Sequence, residues 1–458
     1  MAGFRASVST LIDVLAAKKS DCLDDAAMVF GVTTDTRDIQ PDELFVALEG
    51  ERFNGHDFVA QAIAQGAIAA IVRQGALPNA ADLPVIEVED TLKAYQALGR
   101  WWRQQCEITV IAVTGSVGKT TTKEMVSAAL GQFGSVLKTQ ANYNNEIGVP
   151  KTLLELTSEH DYAVIEMGMR GLEEIALLTN IAQPDVALIT NVGTAHIGRL
   201  GSREMIAQAK CELLRELPPK GIAVLNHDDS LLMSAASTVW SGEQISYGLE
   251  GGVVQGEMVN DSVVVERVVI PMPLPGRHQA LNLLGAIATL KALNLDWTKL
   301  AQGFTVKMPA GRAQVHRLPN DILLLDETYN AGAEAMVAAL QLLASAPGTR
   351  RIAVLGTMKE LGDHSISLHR HIGETVAQLK IDKLLVLADP DEAKALVSGA
   401  GSVPAQRFDS HTELANSLKG MMQKGDRILF KASRSVELDK VVDQLLKECI
   451  LQDFMVTL

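Results

Sequence analysis

Aromatic side chains are scarce, 4% of 458 residues, and nowhere do 18 apolar residues run together. The second absence excludes a membrane-spanning helix, which needs about 20 such residues. Cysteine is rarer still. Cys22, Cys106, Cys211 and Cys449 stand far apart, with no CxxC pair and no histidine at metal spacing. That excludes a disulfide framework and a structural zinc site, and fits a reducing cytoplasm. Positive charge is in deficit: 41 Lys and Arg against 55 Asp and Glu leave a net charge of −14. A chain so acidic repels polyphosphate backbones at long range, so nucleic acid is not its expected partner and any phosphate site must be local. No repeat of 20 to 50 residues and no low-complexity segment occurs.

What is present describes a folded chain. Hydrophobic residues make up 47% and charged residues 21%, an ordinary globular balance, and 36 glycines with few aromatics favour α/β architecture. The length calls for two or three domains. Near the start, Val8, Leu11, Ile12, Val14 and Leu15 fall at helical spacing, broken by Asp13 and followed by no small-residue cleavage site. This reads as a helix and not as a signal peptide. Short apolar runs then alternate with amphipathic stretches to about Asp90, giving a small α/β domain over residues 1–105. The adjacent Trp101 and Trp102 are expected to pack at its boundary.

From Ile108 the pattern becomes strand, loop, helix. Apolar strands are expected at Ile108–Val113, Tyr162–Ile165, Val186–Ile189 and Ile222–Leu225, each ending in polar residues, and a β-rich stretch at Val253–Ile270 precedes a helix from Gln279 to about Leu293. A parallel sheet gives this pattern and binds ligands at the carboxyl ends of its strands. This is a central P-loop-type domain over 106–311. Further strands at Ile322–Leu325, Ile352–Leu355, Lys383–Leu387 and Arg427–Phe430 predict a C-terminal Rossmann-like domain over 312–458.

Chemistry concentrates at the strand ends. Thr114-Gly115-Ser116-Val117-Gly118-Lys119-Thr120-Thr121 follows an apolar strand and opens a helix, where backbone N–H groups and a helix N-terminus cradle phosphates. Lys119 would reach the β/γ-phosphates and Thr120 would bind Mg²⁺. The spacing departs from the full P-loop, because Val113 stands where a first glycine is expected, and a plain glycine-rich turn is the alternative. Glu166 ends the next strand, either as a second oxygen ligand to Mg²⁺ or as an exposed strand-end carboxylate. His196 lies just past another strand end, structural or functional with equal force. Lys210 sits in a helix where a lysine is ordinarily a solvated side chain. Asp326, followed by Tyr329 and Asn330, suits a ribose and a base, or else caps the next helix. Lys431 and Arg434 offer two cations to a carboxylate or phosphate, or belong to a solvated loop. His364, His369 and His371 are expected at the surface, since residues two apart on a helix face different directions.

Taken together, these segments resemble the Mur ligase family over nearly the whole chain, and within it the type acting on UDP-N-acetylmuramoyl-tripeptide and D-alanyl-D-alanine. The resemblance rests on Thr34-Asp35-Thr36-Arg37, Leu44–Leu48 and Asn54-Gly55-His56-Asp57-Phe58 in the first domain. In the centre it rests on the loop Thr114–Thr121, Asn142-Tyr143-Asn144-Asn145, Glu166-Met167-Gly168, Thr190–His196 and Lys210. It implies an ATP-dependent amide ligase of peptidoglycan synthesis, with ATP and two Mg²⁺ ions as cofactors and no stable membrane insertion, working as a monomer in the cytoplasm. It further implies that Thr120 and Glu166 hold one Mg²⁺, and that His196 and a carbamylated Lys210 hold the other. Asn282 and Arg312 then contact adenine and phosphate, and Asp326, Tyr329 and Asn330 contact ribose and base. Thr34–Arg37, Asn54–Asp57, Asn142, Asn144, Asn145, Lys431 and Arg434 are the substrate candidates, with Lys119, His196 and Lys210 catalytic. Gly332-Ala333 stand where the family usually has Asn-Pro, and Thr357 where Asp is common. A folylpolyglutamate synthetase shares the loop and the chemistry but would lack the uridine-binding first domain. A P-loop regulatory ATPase, which makes no bond, is the reading from a different class.

Overall fold

The structure, a computed structural model, describes residues 3–78 and 80–456, the side chains of 81 and 448–456 excepted. Three large sheets follow one another along the chain. The first has five strands in the order Lys18–Lys19, Val85–Val88, Ala69–Arg73, Leu44–Val46, Val32–Thr33, parallel except for the first. The expected N-terminal helix is Val8–Leu15, capped by Ser7.

The second sheet has nine strands. Val136–Lys138, Tyr162–Glu166, Thr109–Thr114, Val186–Ile189, Ile222–Asn226 and Gln244–Gly248 lie side by side in parallel, and the β-rich stretch continues them as Val254–Val259, Ser262–Val265 and Val268–Pro271. Both faces of the central strand are buried: Val110 and Ala112 enter one core, Ile111 and Val113 the other. This is why the strand reads as an unbroken apolar run and not as an alternation. The helices Lys119–Leu130 and Arg277–Ala292 pack together over the second of these faces.

The third sheet has the order Gln314–Leu318, Ile322–Glu327, Asp426–Lys431, Arg350–Gly356, Lys383–Leu387, Ala405–Arg407, parallel but for its first strand. Among the described residues, no helix is long and apolar enough to cross a membrane.

The helix Thr91–Gln105 links the first two sheets and packs on Gly148–Leu154 and Glu174–Ala182. Trp102 donates its indole N–H to Leu156 O at 3.0 Å and, with Trp101, surrounds Phe4, the packing role expected of the tryptophan pair. One expectation is overturned. His369 is fully buried, because it shares the inward face of the helix Ser365–Gln378 with Ile372 and Val376. Its Nε2 accepts from Met358 N at 2.9 Å, and burial lowers its pKa. His364 and His371 are exposed as expected. Cys22, Cys106 and Cys211 are free thiols, while the side chain of Cys449 lies outside the described residues.

Candidate active site

The register of the central sheet brings the candidate groups to one edge. Val113 pairs with Glu166 and Thr114 with Ile189, so three neighbouring strands end together at the Thr114 loop, at Glu166 and at Thr190-Asn191. A cleft of about 940 Å³ opens there. Its walls come from the Ser116–Thr121 loop, from Glu166, His196 and Asn282, and, across from them, from Arg312, Tyr329, Asn330 and Lys431.

The Thr114–Thr121 loop is shaped by its neighbours. Gly115 and Gly118 have φ of +151° and +84°, and a Cβ on Gly115 would lie 1.8 Å from Thr190 Oγ1. Thr190 Oγ1 donates to Val117 O at 2.7 Å, and Ser116 N donates to Asn191 O at 3.0 Å. Lys119 folds back to donate to Gly115 O at 2.7 Å. Its pKa is lowered by burial, the cost of taking an ammonium out of water. Ser116 Oγ is buried without a partner in the same loop. Thr114 is sealed, its hydroxyl donating to Met167 O at 2.8 Å, so its role is to tie two strand ends.

Glu166 is buried, not exposed. Its Oε1 accepts from Asn144 Nδ2 at 2.8 Å, while its Oε2 is enclosed with no hydrogen-bond partner. An orphaned carboxylate oxygen beside this loop suits a hard divalent cation, and Thr120 contributes a buried hydroxyl. Among the described residues no three His, Cys, Asp or Glu side chains gather as a metal cage. Mg²⁺ usually takes one or two carboxylates and completes its shell with phosphates and water. The residues present therefore fit Mg²⁺ at Thr120 and Glu166.

Lys210 departs from the solvated side chain that its residue type suggests: it is 1% exposed. Burial, and then the nearby Lys119 charge, pushes its pKa well below that of an ordinary lysine. The signal was available, since Ile206, Ala207, Leu213 and Leu214 stand three and four residues to either side and put Lys210 on the inward face. His196, at φ +67°, holds its Nδ1 2.6 Å from Glu360 Oε2, an arm of the third sheet's loops.

Opposite the loop, the guanidinium of Arg312 stacks on the Tyr329 ring, 4.0 Å from its centroid. Tyr329 N donates to Gly311 O at 3.0 Å, which fixes the pair. Asn282 is buried beneath Gly118, its carboxamide accepting from Thr122 Oγ1 and donating to Gln279. Asp326 is not part of the cleft wall and accepts from Thr328 N and Oγ1. It does not cap the next helix either, because Ala333–Ser345 opens further on at Gly332, which offers no side-chain cap. Glu327, which sequence reading passed over, lines the cleft instead, 3.6 Å from Lys431.

Other candidates are dispersed. Lys431 is buried and donates to Asn330 O at 3.0 Å, whereas Arg434 pairs with Asp439 at 2.6 Å outside the cleft wall, so the two cations do not form one clamp. Asn145 accepts from Gly148 N at the start of the helix Gly148–Leu154, and Asn142 remains on the cleft rim. Thr34, Asp35, Thr36 and Arg37 lie on the first domain, away from the cleft wall, with Arg37 holding the Asp35 carboxyl down to about 2. His56 is spent on the fold: Nδ1 lies 2.8 Å from Asn54 Oδ1, and Nε2 accepts from Arg73 N at 2.9 Å. Gly55 passes so close to Leu48 that a Cβ would meet its carbonyl oxygen at 2.6 Å, and Asp57 stays exposed beside it. Of the departures from the family pattern, Gly332 begins the helix Ala333–Ser345 without a side-chain cap, and Ala333 is buried in its first turn. Thr357 Oγ1 accepts from Asp389 N at 2.8 Å, an acceptor's task that a carboxylate would also perform.

Three family models match in chain order: Mur ligase family, catalytic domain, over residues 29–103; Mur ligase middle domain over 113–290; and Mur ligase, glutamate ligase domain, over 311–434. A UDP-N-acetylmuramoyl-tripeptide–D-alanyl-D-alanine ligase of Synechocystis sp. is 52% identical over 91% of this chain and 92% of its own length. The chain belongs to the Mur ligase family. Among solved Mur ligases, MurF from Acinetobacter baumannii superposes with a TM-score of 0.88 at 31% identity, covering 98% of this chain and 100% of that one. MurF from Thermotoga maritima in complex with ADP gives 0.81 at 30%, covering 92% and 98%. A three-domain α/β Mur ligase is an ATP-dependent ligase.

Proposed function

We propose that this chain joins D-alanyl-D-alanine to UDP-N-acetylmuramoyl-tripeptide, giving the UDP-linked pentapeptide precursor of peptidoglycan, ADP and phosphate. The observation that carries this reading is the 52% identity to a ligase of that name over nearly all of both chains. The division of labour follows the sheets: residues 1–105 receive the UDP end of the donor, 106–311 hold ATP, and 312–458 complete the nucleotide site and receive the acceptor.

ATP lies with its phosphates on the N–H groups of Ser116–Thr121 and its far end by the Arg312–Tyr329 stack. Lys119 leaves Gly115 O to meet the phosphates. The tripeptide's terminal carboxylate attacks the γ-phosphorus, breaking its bond to ADP, and the amine of D-alanyl-D-alanine attacks the resulting acyl phosphate and expels phosphate. Bound Mg²⁺ supplies positive charge against the repulsion of carboxylate and triphosphate. Thr120 and Glu166 would hold it. Lys210 as an ammonium would not, but a lysine whose proton is so disfavoured presents the neutral amine that adds CO₂. Its carbamate would then offer oxygen to a second ion, for which His196 on the cleft wall is the other ligand candidate. The donor's uridine diphosphate is assigned to the first domain at the Thr34–Arg37 loop and Asp57, with Asn54, Gly55 and His56 shaping the turn. The chain acts as a monomer in the cytoplasm, where its nucleotide substrates are made.

Phosphate release with each peptide substrate omitted in turn tests the assignment. Turnover is expected only with both present, and with single amino acids poor in place of the dipeptide. Faster turnover with glutamate and a reduced folate would replace this reading with a folylpolyglutamate ligase, and turnover without any amine would replace it with a regulatory ATPase.

A further inference from the structure

The helix that opens with Lys119 carries a second lysine one turn later, and the chemistry above makes no use of it. Lys123 is 1% exposed. Taking an ammonium out of water costs several kcal/mol, so the groups around it must compensate. Its Nζ donates to Thr139 O at 2.7 Å, lies 3.0 Å from Glu124 Oε1 and 3.9 Å from Glu166 Oε2. Glu124 has another cation, Lys138, at its Oε2. Glu166 has no other ion-pair partner among the described residues.

The arrangement around Glu166 is asymmetric. Its backbone N donates to Thr139 Oγ1 at 2.9 Å, so Thr139 ties the carboxylate's strand and the Lys123 ammonium to one point. Asn144 takes Oε1. Oε2 faces the charge of Lys123 at a distance too long for a hydrogen bond, because Thr139 O and Glu124 have drawn the ammonium's donors to themselves. The lysine thus supplies charge without filling the lone pairs of Oε2.

We propose that Lys123 is a positioning residue: tied with the Glu166 backbone to Thr139, and 3.9 Å from Oε2 without bonding to it, it holds that oxygen free for the divalent cation that accompanies the nucleotide. This rests on reading Glu166 as a metal ligand. A lysine with a purely structural role would affect folding alone, and removing one that merely repelled the cation would tighten metal binding.

The test is equilibrium binding of ADP to the full chain with and without saturating Mg²⁺, the readout being the factor by which Mg²⁺ tightens ADP. In Lys123→Met that factor should fall about tenfold while metal-free ADP affinity stays within about twofold. In the Glu166→Gln background, Lys123→Met should cause no further loss, since residues acting through one another are not additive. If Lys123→Met does not fold, Lys123→Gln, which can still donate to Thr139 O, carries the same test. An unchanged or increased factor in a folded variant, or losses that multiply in the double variant, overturns the proposal. Should Glu166→Gln by itself leave the factor intact, the metal reading of Glu166 falls and takes the proposal with it. The omission assay would still stand.

Discussion

Asn191 and Val117 are joined twice: Asn191 Oδ1 accepts from Val117 N at 3.0 Å, and Asn191 Nδ2 donates to Val117 O at 2.9 Å. A single carboxamide at the end of one strand thus sets the peptide at the apex of the loop that leaves its neighbour. Asn191→Asp keeps the size, loses the donor and faces a carboxylate to Val117 O. The KM for ATP should rise about tenfold, roughly 1.4 kcal/mol, with a smaller change in kcat. Steady-state kinetics on the folded variant decides, and an unchanged KM would show that the loop keeps its shape without this residue.

Gly115 meets its constraint from the adjoining residue, Thr190. A Cβ there would lie 1.8 Å from Thr190 Oγ1, and φ at +151° disfavours a side chain in any case. Gly115→Ala should abolish detectable ADP binding in a titration while the far-UV circular dichroism remains native. ADP binding at the parent's affinity would refute the close approach.

Lys210 gives a prediction in which stability and activity move in opposite directions. Its pKa is depressed by burial and then by Lys119, whereas an unfolded lysine titrates near about 10.4. The unfolded chain therefore binds the proton more readily, so the destabilisation is greatest at low pH, fades as pH rises above the folded pKa, and is gone above the unfolded one. Lys210→Met removes it. In CO₂-free buffer at neutral pH the variant should resist urea better than the parent, by about 1–4 kcal/mol, with the gap closing towards pH 10 and ligase activity lost. A variant less stable than the parent at neutral pH would contradict this.

The main strands of the central and third sheets were legible because buried parallel strands are unbroken apolar runs, as at Tyr162–Ile165 and Lys383–Leu387. Short or polar edge strands were not: Gln314–Leu318, at a sheet edge, carries only two apolar residues and buries none fully, and Ala405–Arg407 is exposed throughout. At the site, the loop and Glu166 could be read from strand-end position. The tasks of Asn144, Asn191 and Lys123 could not, since each acts on a residue 16 to 74 positions away through tertiary contact alone. The burial of Lys210 was missed because residue type was weighed above helical phase. For His369 the phase argument separated it from His371 but was not carried on to Ile372 and Val376, whose buried face it shares.

The central claim is that the donor carboxylate is phosphorylated before the amine attacks. Tripeptide substrate labelled with ¹⁸O in its terminal carboxylate, turned over with ATP and D-alanyl-D-alanine, measures this directly. One labelled oxygen should appear in each inorganic phosphate released, matched by one pentapeptide formed. Phosphate free of label, or released without pentapeptide, would contradict the account.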